Sequence, residues 1–364
     1  MRYLSNANRI YKVQKLTMSR KIYRPKALEI EMTYVCNLRC ISCAILDDIK
    51  KGTFGFSAKE IISILSQLKS IGINYYSLTG GEPFVHYDIL RSVIADAPID
   101  LIKINTNGFY FSTPKIVRET LGELKESGFG LRNKTIPAWL NISIGQQTAQ
   151  GIPLENAVFI ARDFNHFFPK EKARLSLNVF SPSRSYSYFV INEFLRKYKE
   201  ITGKDFNERK IPFKFYEPDG RCSSTALRMG RPSKRKQTIK SLIREYLEEE
   251  YLGLNCYFIQ EKETFRYIGP RMLLRADGSL YTCIGYSHVH KMGNIHHDKL
   301  NNMIDRVNEE PIVRVLFMSS LKGLLTLAEK KRPGIGNKKI SISYGPCDIC
   351  KLLTGVMNHS SHNA

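Results

Sequence analysis

Three cysteines, Cys36, Cys40 and Cys43, stand in the stretch Glu31-Met-Thr-Tyr-Val-Cys-Asn-Leu-Arg-Cys-Ile-Ser-Cys43. Three thiolates can hold three corners of a four-iron, four-sulfur cluster and leave the fourth iron without a protein ligand, open to chemistry. The same spacing also serves a zinc knuckle, whose tetrahedral ion wants a fourth ligand close by; the next His or Cys downstream is His86. A second feature follows at Gly80-Gly81-Glu82-Pro83, directly after the β-rich run Ile73-Asn-Tyr-Tyr-Ser-Leu-Thr79. Glycines let a backbone approach a ligand closely, and the Glu82 carboxylate can accept hydrogen bonds from a ligand ammonium group.

These residues need a scaffold that brings them together. From Ala27 to about Gly220, short β-rich runs alternate with helical patterns, the signature of βα units on a parallel sheet. Six strands are expected near 28–35, 73–79, 99–106, 138–145, 173–180 and 212–217. Ser57-Ala-Lys-Glu60 is a capping box, and Thr113-Pro114 and Ile152-Pro153 each place proline at a first helical position. In α/β sheets built this way ligands bind at the C-terminal ends of the strands. The three cysteines, Glu82 and Asn107 all fall just after strand ends.

On the CxxxCxxC loop and the Gly-Gly-Glu-Pro turn, the chain resembles the radical S-adenosylmethionine (radical SAM) superfamily. The resemblance implies a partial (β/α)6 TIM-like barrel over 27–222, a cluster on Cys36, Cys40 and Cys43, and S-adenosylmethionine chelating the open iron. It further implies that Gly80, Gly81 and Glu82 contact the methionyl amine. Asn105 and Asn107 at the end of the third strand, Ser143 in the fourth and Asn178 in the fifth are similar to positions that cradle the adenosyl group. The residue before the third cysteine is often aromatic in relatives and is Ser42 here.

At 364 residues the chain is too long for one partial barrel, so a second unit should follow. Four more cysteines lie there: Cys256, Cys283, Cys347 and Cys350. Arg271 to Cys283 reads as a hairpin turning at Asp277-Gly278, and Cys347-Asp-Ile-Cys350 closes the unit. A tetrathiolate suits zinc or a second iron-sulfur cluster. Gly278-x4-Cys283, then Gly293-Asn-Ile and the CxxC pair, resemble the SPASM or shorter twitch domain of radical SAM enzymes, which implies one auxiliary [4Fe-4S] cluster. The organisation expected is an N-terminal extension (1–26), the barrel, a basic linker helix (223–252), the auxiliary-cluster domain (253–353) and a polar tail (354–364).

Fifty-five Lys and Arg against 34 Asp and Glu give a net charge of +21, densest at 228–240, which suits nucleic acid, an anionic membrane, an acidic peptide, a nucleotide-linked substrate or simply a solvated surface. No RNA-binding motif accompanies it. The absence of a bilayer-length apolar run and of a secretory h-region makes a cytoplasmic protein the expectation. Eight cysteines there argue for metal over disulfides. Three and four of them are accounted for, leaving Cys222 after the sixth strand. It is either an inert loop residue or a hydrogen-atom donor, and several radical SAM epimerases that the chain resembles use such a thiol. The reading favours hydrogen abstraction from a peptide or an aminosugar or other carbohydrate, ending in epimerisation. Oxidation through the auxiliary cluster (dehydrogenation or crosslinking) is the alternative. An external reductant such as flavodoxin or ferredoxin is the expected partner, and a zinc-stabilised nucleic-acid-binding protein is the competing class.

Overall fold

A computed structural model describes residues 25–40, 43, 45–51, 55–133, 136–180, 184–207, 211–216, 236–248, 258–261, 266–282, 291–341 and 346–358. Cys222, Cys256 and Cys283 lie outside the described residues, as do nearly all of the N-terminal extension, most of the basic segment and the end of the tail.

Twelve strands are described: β1 (Ala27–Glu31), β2 (Tyr75–Thr79), β3 (Asp100–Thr106), β4 (Ala138–Gly145), β5 (Ala173–Phe180), β6 (Phe213–Tyr216), β7 (Lys236–Thr238), β8 (Phe258–Glu261), β9 (Arg266–Leu274), β10 (Ser279–Tyr281), β11 (Lys291–Asn294) and β12 (Lys339–Ser341). The helices are α1 (Leu46–Lys51), α2 (Ala58–Ser70), α3 (Tyr87–Asp96), α4 (Pro114–Glu126), α5 (Gln146–Ala149), α6 (Leu154–Phe167), α7 (Arg184–Thr202), α8 (Ile239–Glu248), α9 (Leu300–Glu309), α10 (Pro311–Lys331) and α11 (Pro346–Asn358). β1 to β6 pair in sequence order, all parallel, which is the expected partial (β/α)6 barrel.

Period-two alternation decides which side chain faces where. Leu28, Ile30, Leu78, Ile104, Leu140, Ile142, Leu175 and Leu177 pack in the main core with helix residues such as Leu65, Val93, Leu121 and Phe164. Glu29, Ser77, Lys103, Asn105, Asn141 and Ser176 therefore take the opposite, concave face, where Lys103 pairs with Glu29 at 3.0 Å.

The local signals act as their chemistry dictates. The Ser57 hydroxyl accepts from Glu60 N–H while the Ser57 N–H donates to Glu60, closing the capping box at the start of α2. Thr113 caps α4 and Pro114 opens it. Pro153 is the N-cap of α6 rather than its first residue, so that helix starts one position later than its proline predicts. The first strand also stops at Glu31, short of 35, because residues beyond it leave the ladder to form the cysteine loop.

The hairpin after the barrel turns at Asp277-Gly278 as expected, with Gly278 at φ +81°. Its strand β9 pairs parallel with β1, Ala27 opposite Arg271 through Ile30 opposite Leu274, so the C-terminal segment extends the barrel sheet past its first strand. β7 pairs with β12, and Lys240 at the start of α8 meets Glu329 of α10 at 3.2 Å. The expected basic linker is thus paired, in its described part, with the C-terminal segment. Among the described residues no helix is long and apolar enough to cross a membrane.

Candidate functional site

The cysteine loop runs from β1 to α1 and is zipped to the turn after β2. Met32 N–H donates to Thr79 O, Gly81 N–H to Thr33 O at 2.7 Å and Glu82 N–H to Val35 O at 2.9 Å. This close approach explains the two glycines. A Cβ on Gly80, whose φ is +125°, would lie 2.7 Å from Thr33 O, and one on Gly81 would lie 2.1 Å from Val35 O. Sequence reasoning gives the room at Gly80 and Gly81 to a ligand; the structure fills much of it with backbone of the loop itself.

All three thiols are partly buried. Leu38 N–H donates to Cys36 Sγ at 3.4 Å, and the Gln150 side-chain amide donates to Cys40 Sγ at 3.2 Å while accepting from Arg39 N–H at 2.8 Å. Asn107 Nδ2 reaches Asn37 Oδ1 at 2.8 Å, tying the loop to the end of β3. Cys36 and Cys43 pack on Tyr34, Ile45, Ile49 and Ala276. Burial lifts the pKa of each thiol, opposing the thiolate until a cation compensates it. Among the described residues no three His, Cys, Asp or Glu converge on a single-ion site. Three thiols on one loop, two of them accepting hydrogen bonds, are a donor set compatible in type with an iron-sulfur core that keeps one iron open.

Glu82 is 1% exposed and points inward. Its Oε1 accepts from Phe84 N–H at 3.0 Å and from the Thr106 hydroxyl at 2.7 Å, and its Oε2 accepts from Asn107 N–H at 2.7 Å. The carboxylate expected to meet a ligand ammonium is thereby engaged as a clamp between the turn after β2 and the end of β3. Burial drives its pKa up to about 7, against the opposing pull of the Asn107, Thr106 and Phe84 donors.

The concave face carries a hydrogen-bonded row that sequence reasoning saw only in part. Asn105 donates to Thr79 Oγ1 at 3.3 Å, Asn141 donates to Asn105 Oδ1 at 2.9 Å, and the Ser176 hydroxyl donates to Asn141 Oδ1 at 2.6 Å, with Asn178 Oδ1 at 3.4 Å. Asn141 and Ser176 were missed; polar residues at alternate positions of otherwise apolar strands were the available signal. Ser143 stands apart from this row and lines a shallow cleft with Asn107, Gln147, Ile144, Ile152 and Leu154. The buried Gln147 Oε1 in that cleft has no partner among the described residues.

Cys350 is buried on α11. Cys347 lies on the same helix, with its side chain outside the described residues, and Cys256 and Cys283 are outside them altogether. The structure therefore brings Cys36, Cys40, Cys43, Gly80, Gly81, Glu82, Asn105 and Asn107 to one end of the sheet, while the four later cysteines stay an expectation of the sequence.

Residues 30–144 match the family model described as Radical SAM superfamily. The chain is 31% identical over 111 residues to a GTP 3',8-cyclase of Desulforamulus reducens, covering 29% of this chain and 32% of that protein. It is 32% identical over 106 residues to a GTP 3',8-cyclase of Clostridium perfringens, covering 28% and 31%. The chain thus spans about a third of the length of these relatives. Among solved structures, Streptococcus suis SuiB bound to its precursor peptide SuiA superposes with a TM-score of 0.51 at 18% identity, covering 96% of this chain and 80% of that one, a likeness of fold.

Proposed function

We propose that this chain, which belongs to the radical SAM superfamily through residues 30–144, abstracts a hydrogen atom from a peptide or carbohydrate substrate and inverts the carbon it came from. The cofactors of that family are S-adenosylmethionine and a [4Fe-4S] cluster. When bound, the cluster supplies the electron that opens S-adenosylmethionine into methionine and a hydrogen-abstracting 5'-deoxyadenosyl radical. One observation supports the radical-generating half of this reading: the three-thiol loop after β1 is bonded directly to the Gly-Gly-Glu-Pro turn after β2 and, through Asn37 and Asn107, to the end of β3, while the inversion rests on Cys222 in the sequence.

This chain's residues take distinct parts in it. Cys36, Cys40 and Cys43 hold the cluster, with Leu38 N–H and the Gln150 amide steadying two of the sulfurs. Gly80 and Gly81 offer backbone to the methionyl end, and Glu82 acts by fixing that backbone. Asn105, Asn107, Ser143 and Asn178 surround the adenosyl group, and the unpartnered side-chain oxygen of Gln147 beside Ser143 and Asn107 offers an acceptor at that end of the site. The polar row on the concave face meets a hydrogen-bonding substrate.

On the sequence, Cys256, Cys283, Cys347 and Cys350 hold an auxiliary [4Fe-4S] cluster, and Cys222 returns the hydrogen atom and is left a thiyl radical, which a second electron and a solvent proton restore to the thiol; flavodoxin or ferredoxin delivers both that electron and the one spent on S-adenosylmethionine. Anaerobically purified protein should contain about eight irons with matching sulfide, as two four-iron clusters require. Stoichiometric zinc without sulfide would exclude the enzyme. Cys40→Ala should abolish 5'-deoxyadenosine formation. Cys222→Ala should keep hydrogen abstraction and lose the inverted product, which in deuterated water carries one deuterium in the wild type. A product lighter by two hydrogens would replace epimerisation with oxidation through the auxiliary cluster.

A further inference from the structure

Both ends of the cysteine loop are gripped by one side chain from far along the chain. Arg275 sits at the turn between β9 and β10 and is 8% exposed. Its Nε donates to Glu31 Oε2 at 3.2 Å, its Nη2 donates to Asp48 Oδ2, and its guanidinium lies over the Tyr34 ring, 5.6 Å from the centroid. Glu31 stands five residues before Cys36, and Asp48 stands five residues after Cys43. The next residue, Ala276, joins Tyr34, Ile45 and Ile49 in the apolar knot that backs Cys36 and Cys43. The register of β9 on β1 holds the hairpin, and with it Arg275, at this height.

The chemistry needs this residue type. A guanidinium presents donors in a rigid fork and can serve two carboxylates while stacking on a ring, whereas an ammonium is a point charge on a flexible stem. Removing it strands two carboxylates of like charge, one of them 6% exposed.

We propose that Arg275 is a positioning residue that clasps the two ends of the cysteine loop and so presets the separation at which its three thiolates meet an inorganic core. The role in cluster binding rests on the functional reading above; the clasp itself is a property of the metal-free chain. It makes the C-terminal hairpin part of the first cluster site.

The test uses the full-length chain in two variants, Arg275→Met and the triple variant Arg275→Met/Glu31→Gln/Asp48→Asn, which also removes the stranded charges. In metal-free protein, hydrogen exchange of the amides between Thr33 and Leu46 should run at least about tenfold faster in both variants, with β3 to β5 exchanging as in the wild type. The triple variant should regain the wild-type unfolding temperature without regaining loop protection. In reconstituted protein, the change that S-adenosylmethionine makes in the cluster's electron paramagnetic resonance signal should be lost in both.

Wild-type loop protection in Arg275→Met, or its recovery in the triple variant, would overturn the clasp. Exchange accelerated throughout the sheet, or failure of both variants to fold, would overturn it too, by giving Arg275 to the fold at large. A wild-type protein that binds no iron and sulfide sinks the cluster reading alone, since the exchange pattern is read without metal.

Discussion

Replacing Glu82 separates two roles that look alike in an activity assay. Its carboxylate takes three hydrogen bonds, from Phe84 N–H, the Thr106 hydroxyl and Asn107 N–H, in a site 1% exposed. Glu82→Ala leaves all three donors buried and unmet, each costing about 1–3 kcal/mol, so the chain should lose at least about 3 kcal/mol of stability before any ligand is added. Glu82→Gln keeps one acceptor oxygen and sets an amide NH2 against the other donors, for about 1–3 kcal/mol. Urea unfolding of metal-free, ligand-free protein measures both, as a lower midpoint with an unchanged slope. A carboxylate that only met a ligand's ammonium would leave these midpoints alone and weaken S-adenosylmethionine binding by roughly ten- to a hundred-fold. Unchanged ligand-free midpoints in Glu82→Ala would therefore refute the clamp and restore the direct contact.

Three other outcomes follow. Gly81→Ala drives a Cβ to 2.1 Å from Val35 O, so the zipper between the two loops must open; binding of S-adenosylmethionine should fall at least about tenfold by calorimetry, and wild-type affinity would show that the approach is dispensable. Because burial raises the Glu82 pKa from 4.5 to about 7, the folded chain keeps a proton there that the unfolded chain releases, and stability is lost as pH rises through that window. That amounts to about 3 kcal/mol from this group between pH 4.5 and pH 8, and Glu82→Gln should flatten the corresponding part of the unfolding profile; an identical slope in the variant counts against it. Asn141→Leu removes the donor to Asn105 and the acceptor of Ser176, which should cost about 2–4 kcal/mol in denaturant unfolding; a neutral result would mean that the row re-pairs without it.

Much of this was readable in the chain. The six barrel strands, the Ser57 to Glu60 capping box and the turn at Asp277-Gly278 are set by residues a few positions apart, and the structure places them where period and turn chemistry require. The cysteine loop and the Gly-Gly-Glu-Pro turn were legible for the same reason. What sequence could not show are the contacts made by chain closure. Gln150 meets Cys40 across 110 positions, and Arg275 meets Asp48 across 227 and Glu31 across 244. No local pattern marks either residue. The three donors that hold the Glu82 carboxylate were not legible either, because a short motif says that a carboxylate is present and not which way the fold will turn it.

The pairing of β9 with β1 also sets a schedule. Until residues near 271–274 leave the ribosome, β1 is an edge strand with one row of backbone groups unpaired, and Glu31 has no guanidinium beside it. At about 5–20 residues per second, the 244 positions between Glu31 and Arg275 correspond to roughly 12–50 s of synthesis. Through that interval the nascent barrel presents a cysteine loop without its clasp, so on the proposed reading the three thiols are held for an inorganic core only after translation has passed the hairpin. Under that reading the hairpin times maturation, and a pause in translation upstream of it would lengthen the period during which the thiols stand open to oxidation.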